Sequence, residues 1–442
     1  MTVTATAGTM SATRRKKEVR RVILSSYLGS TIEFYDFLLY ATAASLVFGP
    51  VFFAGLDPLA ATIASMGTFA AGYVARPLGG IVFGHFGDTV GRKAMLLISM
   101  TVMGIASFAI GLIPPPEMIG SWAAVLLVLL RVCQGLAVGG EWGGAALMSL
   151  EHAESGKRGF AAAFTNAGAP TGALLGTLAL AAVSLLPDEQ FLTWGWRIPF
   201  LISALMLALG LFVRSKVSES PLFTAALKES AEKETTPPIV TILKRPRAVV
   251  VASMSCIASF GMQTAFTTFA ITYAVSSGAQ RSDALLAFSF CQFCAIFLVL
   301  GSARLSDRIG RRPVMLAGLA AMILSVYPLF LLLGTGQFLF IALAFVGYTI
   351  CHSATYGPMA AFISEQFGTR ARYTGASLGY QLATLVGAGF TPVILASLFA
   401  SSGKSIVPVG LFVIALCVVS AVFLLATKES KDNDLSADTP SA

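Results

Sequence analysis

The chain has 442 residues, of which 56% are hydrophobic and only 12% charged, and its mean hydropathy is +0.78. An ordinary soluble domain is about 25% charged, so a water-soluble globular enzyme is excluded. The +8 net charge sits in Lys and Arg beside apolar stretches, the pattern of membrane topology rather than of a nucleic-acid surface.

A bilayer crossing needs about 20 mostly apolar residues. Twelve stretches qualify, at 22–48, 58–83, 94–113, 121–148, 159–186, 197–214, 248–274, 283–303, 314–334, 338–362, 373–400 and 406–427. An even number puts both termini on one side. Arg14, Arg15, Lys16, Lys17, Arg20, Arg21, Arg92, Lys93, Lys157, Arg158, the 214–247 loop, the 304–312 basic run, Arg370 and Arg372 all fall on that side, against Arg197, Arg281 and Lys404 on the other. Basic residues are retained on the cytoplasmic face, so both termini are expected inside, in a multi-pass protein of the cell membrane. The basic start resembles a signal peptide, but the following apolar part is too long, carries two acids and ends without a small-residue cleavage site.

The first span contains GSTIEFYDFLLYA (29–41), with Ser26, Ser30, Glu33, Asp36 and Tyr40 at helical spacing. One polar stripe therefore faces a bundle interior while leucines and phenylalanines face lipid. Glu33 lies about 11 residues, or roughly 16 Å, from the inner end, near mid-membrane. A central acid costs about 2.5–3.5 kcal/mol, and two neighbouring carboxylates oppose joint ionisation, so one or both should be protonated or paired. Arg131, at similar depth in the fourth span with Gln134 on its face, is the expected partner. Such a pair opens when the acid takes up a proton, which offers a coupling element; a permanent tie between spans one and four is the alternative. Arg76, in ARPLGG (75–80) on the second span, could attract an anionic solute, snorkel to the interface or pair with a loop acid. Glu141, among the glycines of GGEWGG, reads either as a packing or gating partner or as a solute contact, because glycines admit a neighbouring helix closely.

The longest polar segment divides the chain into a basic tail (1–21), a six-span bundle (22–214), a central loop (215–247), a second six-span bundle (248–427) and a tail (428–442). The halves echo one another, as in duplicated transporter folds. GHFGDTVGRK (84–93) parallels ARLSDRIGRR (303–312), matching Asp88 with Asp307, Gly91 with Gly310 and Arg92 with Arg311, although Ala303 replaces the first glycine. Glu151 and Arg158 after span four parallel Glu365 and Arg372 after span ten. Asp88 and Asp307, at span ends, can accept from backbone N–H groups at a helix start, where the dipole favours negative charge. The second half holds no central acid or base except His352, the rival titrating group. Its larger polar side chains include Gln263, Tyr273, Gln292, Tyr348, Tyr356, Tyr380 and Gln381, of which Gln263, Tyr348, His352, Tyr356 and Gln381 join Arg76, Gln134 and Glu141 as candidate solute contacts. The six cysteines lie in apolar spans, and Cys291-x-x-Cys294 lacks the further ligands of a metal site.

These motifs resemble the major facilitator superfamily: G-x-x-x-D-x-x-G-R-K between spans two and three, and RVCQGLAVGGEWGGA (131–145) on span four. EFYDF, ARPLGG, GGEWGGA, WGWRIPF (194–200) and ESPLF (219–223) together resemble its metabolite:proton symporters, whose members carry shikimate, 2-oxoglutarate, citrate or proline/betaine, with the shikimate branch nearest. The resemblance implies an all-α fold of twelve transmembrane helices in two pseudo-symmetric bundles. It implies proton coupling through Arg131, to which the position of Glu33 and Asp36 adds the two acids, and a gate in which Asp88, Gly91 and Arg92, with Asp307 and Arg311, latch the halves outward-open; the internal repeat adds Gly310, Glu151, Arg158, Glu365 and Arg372 as candidate gate residues. The expectation is no cofactor, only the proton gradient, and as partners the solute, protons and the lipid bilayer but no nucleic acid, with the monomer as working unit.

An enzyme or ATP-driven pump would need a nucleotide site, but Gly403-Lys404-Ser405 has Leu398 where a P-loop needs its first glycine. A channel would want polar rings along several spans. A drug:proton antiporter is expected to carry a Gly-Pro pair in span five, where this chain reads GAPTGALLG (168–176). The tail lacks the heptads of an osmosensing coiled coil, which leaves an osmolyte substrate open. The expectation is proton-coupled import of a small polar solute, a carboxylate such as shikimate or a dicarboxylate, with osmolyte symport, uncoupled facilitation and a transporter-like sensor as alternatives.

Overall fold

The computed structural model describes residues 12–433 apart from Ser155 and most of 221–245, together with Leu435. Much of the expected central loop, ESPLF beyond Ser220, the first eleven residues and the last seven thus lie outside the described residues.

Among the described residues twelve long helices run in chain order: α1 Ala12–Leu46, α2 Pro58–Thr89, α3 Arg92–Leu112, α4 Trp122–His152, α5 Arg158–Val183, α6 Arg197–Ser215, α7 Pro246–Ser276, α8 Arg281–Ile309, α9 Arg311–Leu333, α10 Phe338–Glu365, α11 Arg372–Ser401 and α12 Val407–Leu425. Ten of them, all but α1 and α2, are long and apolar enough to cross a membrane by length and composition. Closing the backbone hydrogen bonds inside each helix is what allows such segments to lie in hydrocarbon. The helices overrun the apolar stretches: α1 takes in residues 12–21, expected as a separate tail, and α2 and α8 continue six residues past the expected span ends.

The pairing repeats between halves. Helix α1 packs on α5 and α7 on α11; α2 on α4 and α8 on α10; α3 on α6 and α9 on α12. Across the halves, α2 meets α11 as α8 meets α5, and α4 meets α11 as α10 meets α5. Helices α1 and α7 are not among the closely packed pairs, so the halves close on each other at the end carrying the signature loops, here called the basic end.

Glycine makes two features possible. Gly91 and Gly310 have φ of 133° and 110°, turning the chain sharply from α2 into α3 and from α8 into α9 at matching points of the repeat. On α2 and α4, a Cβ on Gly79 would strike the Leu136 carbonyl and one on Gly139 the Arg76 carbonyl, so the two backbones touch through bare glycines.

Candidate functional site

Two clusters of buried charge lie along the seam of the molecule. The first is at mid-helix in the N-terminal bundle. Asp36 on α1 is 2% exposed and accepts two hydroxyl hydrogen bonds, from Ser107 Oγ of α3 to Oδ2 and from Ser203 Oγ of α6 to Oδ1, each 2.6 Å. Ser107 Oγ in turn accepts from Gln134 Nε2 at 2.7 Å, and Gln134 Oε1 accepts from Arg131 Nη1 at 3.2 Å. The expected Arg131–acid ion pair is therefore not made: Gln134 and Ser107 stand between the charges. Arg131 instead lies against aromatic rings, its guanidinium carbon 4.2 Å from the Tyr40 centroid, 4.9 Å from Phe69 and 5.3 Å from Phe37.

Arg76 does not snorkel. It is 7% exposed and its guanidinium carbon lies 4.5 Å from the centroids of both Phe37 and Tyr73. Among the described residues neither Arg76 nor Arg131 has a carboxylate within ion-pair distance. Glu33 faces the same cleft, which Asp36, Arg76, Arg131 and Gln134 also line, and its buried Oε2 has no hydrogen-bond partner. Phe37, expected to face lipid, is the ring on which both arginines rest, and Leu39 is fully buried. Helix α1 is an interior helix, packed on α5, α4 and α6.

Glu141 departs from its reading as a solute contact. Arg214 Nη2, at the end of α6, donates to Glu141 Oε1 at 2.6 Å, and Arg214 Nη1 donates to the Leu96 carbonyl at 2.8 Å. The pair is buried and ties α4 to α6 and α3. Arg214 escaped notice because it opens the polar central loop and reads as a topological charge.

The C-terminal half adds aromatic and amide groups. Tyr348, His352 and Tyr356 follow at four-residue spacing on α10 and stack, with centroids 5.4 and 5.1 Å apart, and Tyr348 stacks on Phe266 at 4.3 Å. His352 Nε2 is buried without a hydrogen-bond partner. Gln263 is half-buried on α7. Gln381 is turned to the seam, donating from Nε2 to the Gly139 carbonyl at 3.2 Å. Trp142 and Asn166 were not anticipated: Trp142 stacks on Tyr380 at 3.7 Å and donates to Asn166 Oδ1 at 2.9 Å, and Asn166 Nδ2 donates to the Tyr356 carbonyl at 2.5 Å. An indole N–H must find a partner when buried, which is the signal that could have flagged the pair.

The second cluster closes the basic end. Asp88 accepts from the backbone N–H groups of Tyr373 and Thr374, at 3.1 and 2.9 Å, and from Thr374 Oγ1, at the start of α11. Asp307 accepts from the N–H groups of Gly159 and Phe160, both at 2.8 Å, at the start of α5. Each acid thus caps a helix of the opposite half, where unpaired N–H groups and the helix dipole favour an anion. Arg92 pairs with Glu151, and Arg311 with Glu365 at 3.2 Å and Asp307 at 2.6 Å. Glu151 also accepts from Arg372 across the seam at 3.0 Å, while Arg158 Nη1 donates to the Asn433 carbonyl at 2.8 Å.

A further echo lies in the connecting segments. Glu219 accepts from the Lys93 backbone at 3.0 Å and Ser220 donates to Glu151; Glu429 accepts from the Arg311 and Arg312 backbones at 2.8 and 3.0 Å and Ser430 donates to Glu365 at 2.6 Å. The C-terminal segment, expected as a tail, is thereby drawn onto the bundles as far as Leu435, which is 2% exposed.

Comparison with known proteins fits this architecture. The profile described as Major Facilitator Superfamily matches residues 25–387. The chain is 39% identical to the inner membrane metabolite transport protein YhjE of Escherichia coli K12, covering 94% of this chain and 95% of that one. It is 38% identical to the shikimate transporter of the same organism, covering 96% and 97%, and 31% identical to its proline/betaine transporter, covering 96% and 86%. Among solved structures, the proton:xylose symporter XylE, from E. coli, bound to 6-bromo-6-deoxy-D-glucose superimposes with a TM-score of 0.78 at 18% identity, covering 96% of this chain and 98% of the other, a likeness of fold.

Proposed function

This chain belongs to the major facilitator superfamily, and on that premise we propose that it imports a small organic carboxylate together with protons by alternating access. The observation that carries the reading is the central cleft, where the guanidiniums of Arg76 and Arg131 rest on aromatic rings with no acid among the described residues in ion-pair distance. Two desolvated cations without a counter-charge are costly, and a solute carboxylate entering the cleft supplies what the protein does not. The names of the relatives support the class: one of them, at 38% identity, is a shikimate transporter, and shikimate carries a carboxylate.

Glu33 and Asp36 are the proton-accepting candidates, and Gln134, Gln381, Tyr348, His352 and Tyr356 are the candidate contacts for the solute. The basic end is the cytoplasmic one, with both termini inside the cell, and the Asp88 and Asp307 caps hold the halves together there while the opposite end admits solute. The protein works as a monomer in the cell membrane.

A zwitterion such as betaine is the second reading, favoured by the uncommitted Glu33 carboxylate beside the two arginines. Purified protein in proteoliposomes tests both. Shikimate, a dicarboxylate and glycine betaine are offered with and without an inwardly directed proton gradient. Gradient-driven accumulation of a carboxylate is expected; accumulation of betaine alone would replace the substrate class, and carboxylate equilibration indifferent to the gradient would replace symport with facilitation. Glu33→Gln or Asp36→Asn is expected to abolish accumulation with the folded yield unchanged, and full activity of both singles and the double would move coupling to His352.

A further inference from the structure

The link between the first-span acid and Arg131 is a chain of four groups, and its polarity is fixed by what each can donate. Arg131 has only donors, so Gln134 must turn its oxygen to Arg131 and its amide N–H toward Ser107; Ser107 then accepts from Gln134 and spends its single hydrogen on Asp36, which, ionised, can only accept. Between a donor-only guanidinium and an ionised carboxylate the chain runs in this direction only. The charged groups facing Asp36 are Arg131 and Glu141 from α4 and, lining the same cleft, Glu33 on its own helix and Arg76 from α2. Helix α3 contributes Arg92 and Lys93 only at its start, α6 Arg197 and Arg214 only at its ends, and α5 Arg158 only at its start.

We propose that Ser107 and Gln134 are positioning residues that relay protonation of Asp36 to Arg131 by reversing this chain, and so release Arg131 to bind the solute carboxylate. The relay rests on the reading of the cleft given above. When Asp36 Oδ2 gains a proton it becomes a donor. Ser107 Oγ accepts that O–H and can no longer donate to Asp36. Its own hydrogen swings to Gln134, whose amide rotates to present Oε1 to Ser107. The Gln134 N–H groups then face Arg131, donor against donor, and Arg131 loses the only side-chain oxygen among the described residues that holds it. The one proton gained stays on Asp36; every other group keeps its own hydrogen and only turns. Ser203, on the other oxygen of Asp36, is outside the chain and serves as an internal control.

The sign follows. Arg131 is held while Asp36 is ionised and freed when it is protonated, so carboxylate affinity rises as pH falls on the side to which the cleft opens. This orders the cycle as proton first, solute second.

Two measurements test the relay in wild type, Ser107→Ala, Ser107→Thr and Ser203→Ala. The first needs no solute: pH-difference infrared spectra of the purified full chain with and without 15N-arginine. A carboxyl band absent in Asp36→Asn and a guanidinium band absent in Arg131→Lys are expected to titrate together in wild type, Ser107→Thr and Ser203→Ala. In Ser107→Ala the carboxyl band should appear without the guanidinium change. A guanidinium response that survives in Ser107→Ala, or its absence in wild type, overturns the relay. The second is binding of shikimate between about pH 8 and 5.5, expected to tighten roughly tenfold, about 1.4 kcal/mol of coupling, in all but Ser107→Ala, where it stays flat. If neither shikimate nor a dicarboxylate binds at any pH while the infrared bands still move together, the solute reading falls and the relay stands.

Discussion

Arg76 and Glu141 look alike in the sequence, each a lone charge in an apolar helix beside glycines, yet the structure gives them opposite circumstances. Glu141 has Arg214 at 2.6 Å; Arg76, among the described residues, has rings and no carboxylate in ion-pair distance. Two different mutational outcomes follow. Glu141→Gln leaves Arg214 buried without its counter-charge and is expected to destabilise the fold by about 3–5 kcal/mol. Glu141→Gln combined with Arg214→Met should recover most of that, as read by thermal unfolding in detergent. If the single variant melts like wild type, the pair is not structural. Arg76→Ala, by contrast, should leave the melting temperature within a few degrees while weakening carboxylate binding by about 2–5 kcal/mol, roughly 30-fold or more, with Arg76→Lys intermediate because an ammonium lacks the planar fork. An Arg76→Ala protein that binds carboxylates normally would remove this residue from the site. The sequence exposed the charges but not their pairing. Ser107 and Ser203 were invisible because serine in a membrane helix usually bonds its own backbone, and only the fold shows that both point at Asp36.

Among the helices, legibility tracks the length of the apolar run. The twelve long helices could be read because about 20 apolar residues have few other uses in a chain. Their ends could not, since α2 and α8 carry on as amphipathic extensions that end only where Gly91 and Gly310 adopt positive φ. Helix interiors explain the glycine-rich motif. The α2–α4 contact runs through Gly79 and Gly139, each pressed on a backbone carbonyl that cannot yield. Gly139→Leu is therefore expected to cost more than the about 1–3 kcal/mol of ordinary overpacking and to displace Arg76, whose own carbonyl is the one struck. Loss of both stability and carboxylate binding, against neutral behaviour of Gly55→Leu, where nothing lies near, checks it; an unchanged Gly139→Leu protein would show that the helices are further apart than described.

Across the whole molecule the two halves are joined at the basic end by groups that come in symmetric pairs, and the last described residues bind both members of one such pair. Arg158 at the start of α5 donates to the Asn433 carbonyl, and Arg372 at the start of α11 donates to the Leu435 carbonyl at 2.8 Å while pairing with Glu151 in the other half. Leu435 itself is buried in the apolar core that contains residues of both bundles. Nothing in KESKDNDLSADTPSA announces this, because a charged, proline-containing segment without periodicity reads as a solvated tail; the informative echo is only the Glu-Ser dipeptide at 219–220 and 429–430. Opening the basic end must part Arg158 from Arg372, so a segment attached to both works against opening. Burial of one leucine contributes about 1.5–3 kcal/mol, and each hydrogen bond to a charged group about as much. Removing residues 433–442 is therefore expected to raise the population open at the basic end by about tenfold or more. Spin labels at Thr89 and Arg308, exposed at the basic ends of α2 and α8, report that distance in the solute-free protein. Asp88→Asn, which weakens the cap on α11, should move the same distance distribution in the same direction, and the truncated chain carrying Asp88→Asn should move it further. If truncation leaves the distribution unchanged while Asp88→Asn shifts it, the closed state is held by the helix caps and the cross-half ion pair alone, and the C-terminal segment merely rests on it.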